Sequence, residues 1–164
     1  DYLLMVGRLH RLKESVLKAK IKGFMEVFDL AGDLYSEIAS FSKGMTQKVL
    51  ITAALLHDPE ILLLDEPLSG LDVSTILIIE KLVRRLASEG RIIIYSSHLL
   101  DIVEKVASRV LILYQGNVRA DDSVENLRQL MKVPSLEEIF GQLVVQEDPE
   151  AAASELVSLM KKNV

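Results

Sequence analysis

The most informative part of this sequence is a short apolar run that ends in two acids, from Ile61 to Pro67, with the sequence ILLLDEP. Prolines bound the run at positions 59 and 67, and four consecutive large aliphatic residues between such breakers are typical of a strand buried on both faces. The segment therefore predicts a strand of an α/β fold. Asp65 and Glu66 would lie at its carboxyl end, where parallel sheets bind their ligands.

The rest of the chain alternates between helical and extended patterns. Continuous apolar runs at 92–95 and 110–114 predict two further strands, the second followed by a turn at 115–117. Two helices are expected in the first 30 residues, the second ending after Leu30 with Gly32 in the left-handed conformation. Further helices are predicted over 43–57, 73–88, 99–107, 123–132, 135–143 and 150–162. Strands that alternate with helices predict a parallel sheet, and hence the α/β class.

Composition excludes several kinds of protein. The net charge of −5 disfavours a nucleic-acid binder that works through a broad basic surface. Cysteine is absent, which excludes disulfides and cysteine-ligated metals, and three histidines make a histidine-rich zinc site improbable. No apolar run reaches the length of about 18 residues that a membrane helix needs. The first residue is not methionine, so we expect a piece of a longer chain.

Paired acids at the end of a strand suit phosphate chemistry. One carboxylate, at Asp65 or Glu66, can support Mg²⁺, which keeps much of its water shell. The other can act as general base toward a water molecule. Two solvated acids before a turn are an equally good interpretation of this pair alone. Asp72, shortly after the tight turn that Gly70 allows, can simply cap the next helix.

Two other segments gain meaning from their positions. His98 follows the second predicted strand, so it shares the sheet edge with the acids and could bind phosphate or orient water. The segment from Phe41 to Gln47 begins a helix, with Ser42 as a plausible N-cap and Gly44 permitting close backbone approach. A helix start with free amides and a lysine can bind an anion. Taken singly, His98 could be structural and the segment an ordinary capped helix.

In order and spacing, these four segments resemble the nucleotide-binding domain of ABC transporter ATPases over roughly residues 1–120. The matching parts are the signature segment at 41–49, the Walker B strand at 61–67, the D-loop at 69–72 and the switch histidine at position 98. Residues 97–116 and 135–140 look most like bacterial exporter ATPase subunits. The resemblance implies a P-loop NTPase-type partial parallel sheet. It divides the chain into a helical signature subdomain (1–57), the Walker B half of the α/β core (58–120) and a helical C-terminal tail (121–164).

The resemblance also implies roles for single residues. Asp65 would support the Mg²⁺ of bound ATP, Glu66 would polarise the attacking water and His98 would contact the γ-phosphate. Asp72 would lie at a homodimer interface. The residues that would close over the ATP of the opposite subunit are Ser42, Lys43, Gly44 and, as a lesser candidate, Gln47.

The sequence departs from the family pattern in two ways. Lys43 replaces the first glycine of the usual signature Leu-Ser-Gly-Gly-Gln, and Met45 replaces its glutamine. Lys43 adds a positive charge near the expected phosphate, whereas Met45 removes a polar contact. The phosphate cradle Gly-x-x-x-x-Gly-Lys-Ser/Thr is missing, because no two of the eight glycines lie five residues apart. The Q-loop is missing too, so the chain by itself is expected to be inactive.

The resemblance predicts an ATP-binding and ATP-hydrolysing subunit of a membrane exporter. Its partners would be a membrane permease and a second copy of the subunit, without nucleic acid, at the cytoplasmic face of the cell membrane. Two alternatives stay open. One is an ABC-type ATPase of DNA repair or translation, which the acidic balance disfavours. The other is a truncated, non-catalytic paralogue that acts as an interaction module.

Overall fold

The computed structural model describes residues 1–144 and 149–161, and the chain forms two compact units, residues 1–98 and 99–164. The first unit contains helices α1 (Tyr2–Leu9), α2 (Glu14–Val27), α3 (Lys43–Leu55) and α4 (Val73–Ser88), and strands β1 (Ile61–Asp65) and β2 (Ile92–Ser96). The second contains α5 (Leu100–Val106), β3 (Val110–Tyr114), β4 (Asn117–Asp122), α6 (Val124–Met131), α7 (Leu136–Val144) and α8 (Pro149–Lys161). The three-part division inferred from the sequence stays a prediction.

Helices α1, α2 and α3 pack on one another around fully buried Leu17 and Leu56. Gly7 allows α1 to approach α2 closely, because a Cβ at this position would lie 2.2 Å from Cδ1 of Leu17. Helix α2 ends at Val27, earlier than predicted. The residue in the left-handed conformation after it is Asp29, with φ 56°, so the assignment of that role to Gly32 was wrong. A short polar side chain such as that of aspartate tolerates this conformation.

Strands β1 and β2 pair in parallel, from Ile61 opposite Ile92 to Asp65 opposite Ser96. Helix α4 connects them, as its predicted range of 73–88 required. The expectation that both faces of the strands are buried was wrong, because Leu62 is 6% exposed whereas Leu63 is 68% exposed. Leu62 and Ile93 share an apolar cavity with residues of α4, so the helix covers their face of the sheet only.

The second unit corrects the sheet topology. Strand β3 forms a separate hairpin with β4, so the prediction that 110–114 belongs to the parallel sheet was wrong. Gln115 and Gly116 form the two-residue connection with φ values of 49° and 75°, a pair of positive values that matches the twist of antiparallel strands. The sequence did not predict β4, because its residues, NVRADD, are mostly polar.

The three helices predicted at the C-terminal end are present over the described residues, whereas residues 121–122 of the predicted tail belong to β4. Helix α6 begins at the N-cap Ser123, whose hydroxyl accepts a hydrogen bond from the amide of Asn126 at 3.1 Å. Fully buried Leu136 and Ile139 pack α7 into this unit. Residues 145–148 and 162–164 of the predicted tail, including the last residue of the helix expected over 150–162, lie outside the described residues. Within the described ranges, no helix combines the length and the apolar character needed to cross a membrane.

Candidate active site

The carboxyl ends of β1 and β2 bring Glu66 and His98 into contact. Nδ1 of His98 lies 2.7 Å from Oε2 of Glu66, a hydrogen-bonding distance, and both side chains remain open to solvent. The parallel register places these ends beside each other, because Asp65 pairs with Ser96. The acid and the histidine that the sequence placed on one sheet edge therefore lie within hydrogen-bonding distance of each other.

Asp65 is held by the neighbouring strand. The hydroxyl of Ser96 donates a hydrogen bond to Oδ1 of Asp65. The amide of Glu66 in turn points at Ser96, 3.2 Å from both its hydroxyl and its carbonyl oxygen. Ser96 thus fixes the carboxyl end of β1 from the side. Ser96 belongs to the segment that draws attention to His98 in the sequence, but only His98 was predicted to have a role there.

Glu66 has an unusual backbone conformation, with a φ of 45°. Left-handed conformations cost energy for residues other than glycine and cluster where the surrounding structure enforces them. The other five such residues in the described chain lie near helix ends or in the β3–β4 turn; they are Arg11, Asp29, Asp58, Gln115 and Lys132. Glu66 instead directly follows a strand, where the bend turns its side chain toward His98.

Asp72 both caps α4 and ties it to α3. Its Oδ1 accepts hydrogen bonds from the hydroxyl of Ser74 and, at 2.9 Å, from the amide of Thr75. Its Oδ2 accepts from the hydroxyl of Thr75 at 2.8 Å and lies 3.0 Å from Nζ of Lys48. These partners, the Ser74 hydroxyl most of all, hold the pKa of Asp72 well below its usual range. The carboxylate therefore stays charged, and the predicted capping role is confirmed.

The start of α3 packs directly on the loop that follows Glu66. Ser42 is the N-cap, its hydroxyl accepting a hydrogen bond from the amide of Met45 at 3.2 Å, as predicted. Gly44 lies against the loop so closely that a Cβ there would be 2.5 Å from the carbonyl oxygen of Gly70. Lys43 extends toward the same loop and donates to Oγ of Ser69 at 2.7 Å.

Gln47 and Lys48 lie on the next turn of α3. Gln47 is half-buried. Lys48, whose side chain is only 14% exposed, reaches Asp72 and was missed by the sequence analysis. No local pattern marks a pair formed between distant parts of the chain. The sequence-predicted residues thus form two groups, the sheet edge (Asp65, Glu66, His98) and the start of α3 (Ser42, Lys43, Gly44, Gln47), joined by the loop that ends at Asp72.

The sheet edge offers few metal ligands. No cluster of three or more His, Asp or Glu side chains suited to a metal ion occurs among the described residues. Mg²⁺ does not require such a cluster, because one or two carboxylates suffice when substrate phosphates and water complete its shell. Asp65, exposed at the end of β1, fits a magnesium ion of that kind, which would arrive with a nucleotide.

Comparison with known proteins points to one family. The chain matches the ABC transporter family over residues 6–69. It is 34% identical over 146 residues to the ABC transporter ATP-binding protein NatA of Bacillus subtilis, covering 89% of this chain and 59% of that protein. It is 32% identical over 122 residues to the bacitracin transport ATP-binding protein BcrA of Enterococcus faecalis, covering 74% of this chain and 40% of that protein.

A solved structure of an ATP-binding subunit of an ABC transporter superposes with a TM-score of 0.79 at 30% identity, covering 86% of this chain and 60% of that one. The fold is therefore that of an ABC ATP-binding domain, with a P-loop NTPase-type architecture. The chain belongs to the ABC transporter ATP-binding family. It spans about three fifths of the length of NatA and of that solved subunit.

Proposed function

We propose that this chain is part of the ATP-hydrolysing subunit of an ABC-type exporter and that Glu66 and His98 are its catalytic pair. The observation that carries the proposal is the 2.7 Å contact between them at the carboxyl edge of the parallel strands. Ligands of such sheets bind at that edge. The similarity of this chain to ATP-binding subunits favours a nucleotide as the ligand.

Glu66 and His98 have different roles in phosphoryl transfer, a reaction that needs mainly positioning and charge neutralisation. Glu66 accepts a hydrogen bond from the attacking water and polarises it. His98 holds the Glu66 carboxylate in place by donating from Nδ1, and it donates from Nε2 to the γ-phosphate when the ring carries a proton on both nitrogens. Asp65, oriented by Ser96, would hold Mg²⁺, which supplies charge neutralisation at the phosphates when bound.

The start of α3 would act on a second site. In the proposed homodimer, Ser42, Gly44 and Gln47 face the ATP held by the opposite subunit, with Lys43 beside them at the helix start, and Asp72 lies at the subunit interface. Free amides at the first turn of α3 favour an anion there. In this arrangement, Asp72 and its four hydrogen-bonding contacts keep the loop between the two groups in one conformation.

The complete transporter would also contain a membrane permease, which places this subunit at the cytoplasmic face of the membrane. The name of one relative, a bacitracin transport ATP-binding protein, supports a transport role. The exporter assignment rests further on the resemblance of 97–116 and 135–140 to exporter subunits. No nucleic-acid partner is proposed for this acidic chain.

Replacing Glu66 tests the catalytic assignment. In the full-length protein, Glu66→Gln keeps the size and a hydrogen-bonding group but loses the base, so ATP turnover should fall about 10²–10⁴-fold while ATP binding persists. Glu26→Gln is the matched control, since Glu26 pairs with Lys22 on the exposed face of α2. Unchanged turnover in Glu66→Gln would remove Glu66 from this role. A wild-type protein without ATPase activity would favour the interaction module instead.

A further inference from the structure

The contact of Lys43 with Ser69 assigns a specific task to a residue that departs from the family signature. Nζ of Lys43 donates to Oγ of Ser69 at 2.7 Å, which joins the first residue of α3 to the loop between Glu66 and Asp72. The aliphatic part of the same side chain covers Gly70, because a Cβ on Gly70 would lie 3.1 Å from both Cγ and Cδ of Lys43. The side chain of Lys43 therefore lies against the Ser69-Gly70 turn along most of the side chain's length.

Two further contacts hold the same pair of segments together. Gly44 lies against the carbonyl oxygen of Gly70, and Lys48 lies 3.0 Å from the carboxylate of Asp72 one turn further along α3. Lys43 thus contacts the loop at Ser69 on the exposed side, and the largely buried Lys48 contacts it at Asp72. A residue without a side chain at position 43 would remove these Lys43 contacts from the Ser69-Gly70 turn and leave the Gly44 backbone contact in place.

We propose that Lys43 is a positioning residue that holds the start of α3 to the Ser69-Gly70 turn, and not a direct phosphate ligand. The proposal rests on the proposed function in one respect, namely that the loop carries Glu66 at one end and Asp72 at the other. Through Ser69, Lys43 fixes the distance between two segments. One is the start of α3, which faces the ATP of the opposite subunit, and the other is the loop after Glu66, which acts on the ATP of its own subunit. The ammonium group that could neutralise phosphate is instead bonded within its own subunit.

Three variants of the full-length, assembled protein test this assignment. Lys43→Met keeps the aliphatic stem but loses the donor, Ser69→Ala loses the acceptor, and Lys43→Arg restores a donor. Positioning through Ser69 predicts that Lys43→Met and Ser69→Ala each lower kcat by up to about tenfold, since small displacements of reacting groups are costly. The KM for ATP should stay unchanged. The double variant, Lys43→Met with Ser69→Ala, should lose no more of kcat than either single variant. Lys43→Arg should recover most of the kcat that Lys43→Met loses.

Amide hydrogen exchange provides a readout that does not depend on activity. The amides of Ser69 and Leu71 bond to Glu66 and Leu68 within the loop. Loss of an exposed contact to a charged group should raise their exchange rates about twofold to fivefold in Lys43→Met and in Ser69→Ala. Lys22→Met, on the exposed face of α2, is the control and should leave these rates unchanged.

The outcomes separate the possible failures. A Ser69→Ala protein with wild-type kcat and wild-type exchange, combined with a raised KM in Lys43→Met, would overturn the proposal and make Lys43 a phosphate ligand. Additive losses in the double variant would overturn it as well. If the wild-type protein hydrolyses no ATP, the proposed function fails, and hydrogen exchange alone still decides whether Lys43 holds the loop.

Discussion

Gly44 is the position where one methyl group should do most damage to the proposed signature segment. A Cβ on this residue would lie 2.5 Å from the carbonyl oxygen of Gly70, and real Cβ contacts shorter than 3.0 Å are essentially never seen. Gly44→Ala must therefore move helix and loop apart by at least 3.0 − 2.5 = 0.5 Å. The obstructing atom belongs to the backbone, so no side chain can rotate away to relieve the clash.

The expected cost combines two opposing effects. Forcing an extra methyl group into a packed contact typically costs about 1–3 kcal/mol of unfolding free energy. Alanine in place of glycine in a helix returns about 1 kcal/mol. Gly44→Ala should therefore destabilise the protein by about 0–2 kcal/mol. ATP turnover should fall as well, because the displaced loop carries Glu66 at its start.

Gly23→Ala is a matched control for this variant. Gly23 lies inside α2, and a Cβ there would meet nothing within 4 Å. This substitution should stabilise the protein by about 1 kcal/mol, so the two variants should differ by about 1–3 kcal/mol. Urea unfolding measures both values under identical conditions. Equal stabilisation by the two alanines would refute the close contact between α3 and the loop.

Two further predictions concern caps and pH. Ser42→Ala and Ser123→Ala each remove an N-cap and should each cost about 1 kcal/mol in thermal unfolding, but only Ser42→Ala should also slow ATP turnover; equal turnover would separate Ser42 from the site. Burial most of all, and then the positive charge of neighbouring His10 and Lys20, lowers the pKa of His57, whose ring stacks on His10 at 3.7 Å. In the unfolded chain His57 has its ordinary pKa of about 6.5, so as the pH falls this histidine is protonated more readily in the unfolded chain than in the folded protein. The unfolding free energy should therefore fall between pH 7.5 and 5.5 less in His57→Gln than in the wild type, and equal losses in the two proteins would contradict this.

The regular elements of the first unit were largely predictable because their signals are local. Helix α4 has its cap, its apolar stripe and its final glycine within one stretch of sequence, and its bounds agree with the prediction. The two acids at the carboxyl end of β1 were placed correctly for the same reason, since a bounded apolar run predicts a strand and its end. The carboxyl ends of parallel strands then determine which side chains meet, as Glu66 and His98 do.

The errors arose where non-local pairing decides the structure. The apolar run of β3 looked like another parallel strand, but a two-residue turn and a polar partner strand make it a hairpin. The apolar residues of β1 lie on both faces of the strand, so they do not indicate which face the rest of this chain covers. The exposure of Leu63 was therefore not predicted. The roles of Lys48 and Ser96 were not predicted because each acts through a residue far away in sequence.

A double-mutant cycle on Glu66 and His98, in single-turnover ATP cleavage by the full-length protein, tests the account most directly. If the two side chains act as one unit, Glu66→Gln and His98→Ala should each slow cleavage strongly, and the double variant should be little slower than the worse single one. ATP binding should persist in all three. Cleavage at the wild-type rate in either single variant, or fully additive losses in the double variant, would contradict the assignment of this pair as the catalytic centre.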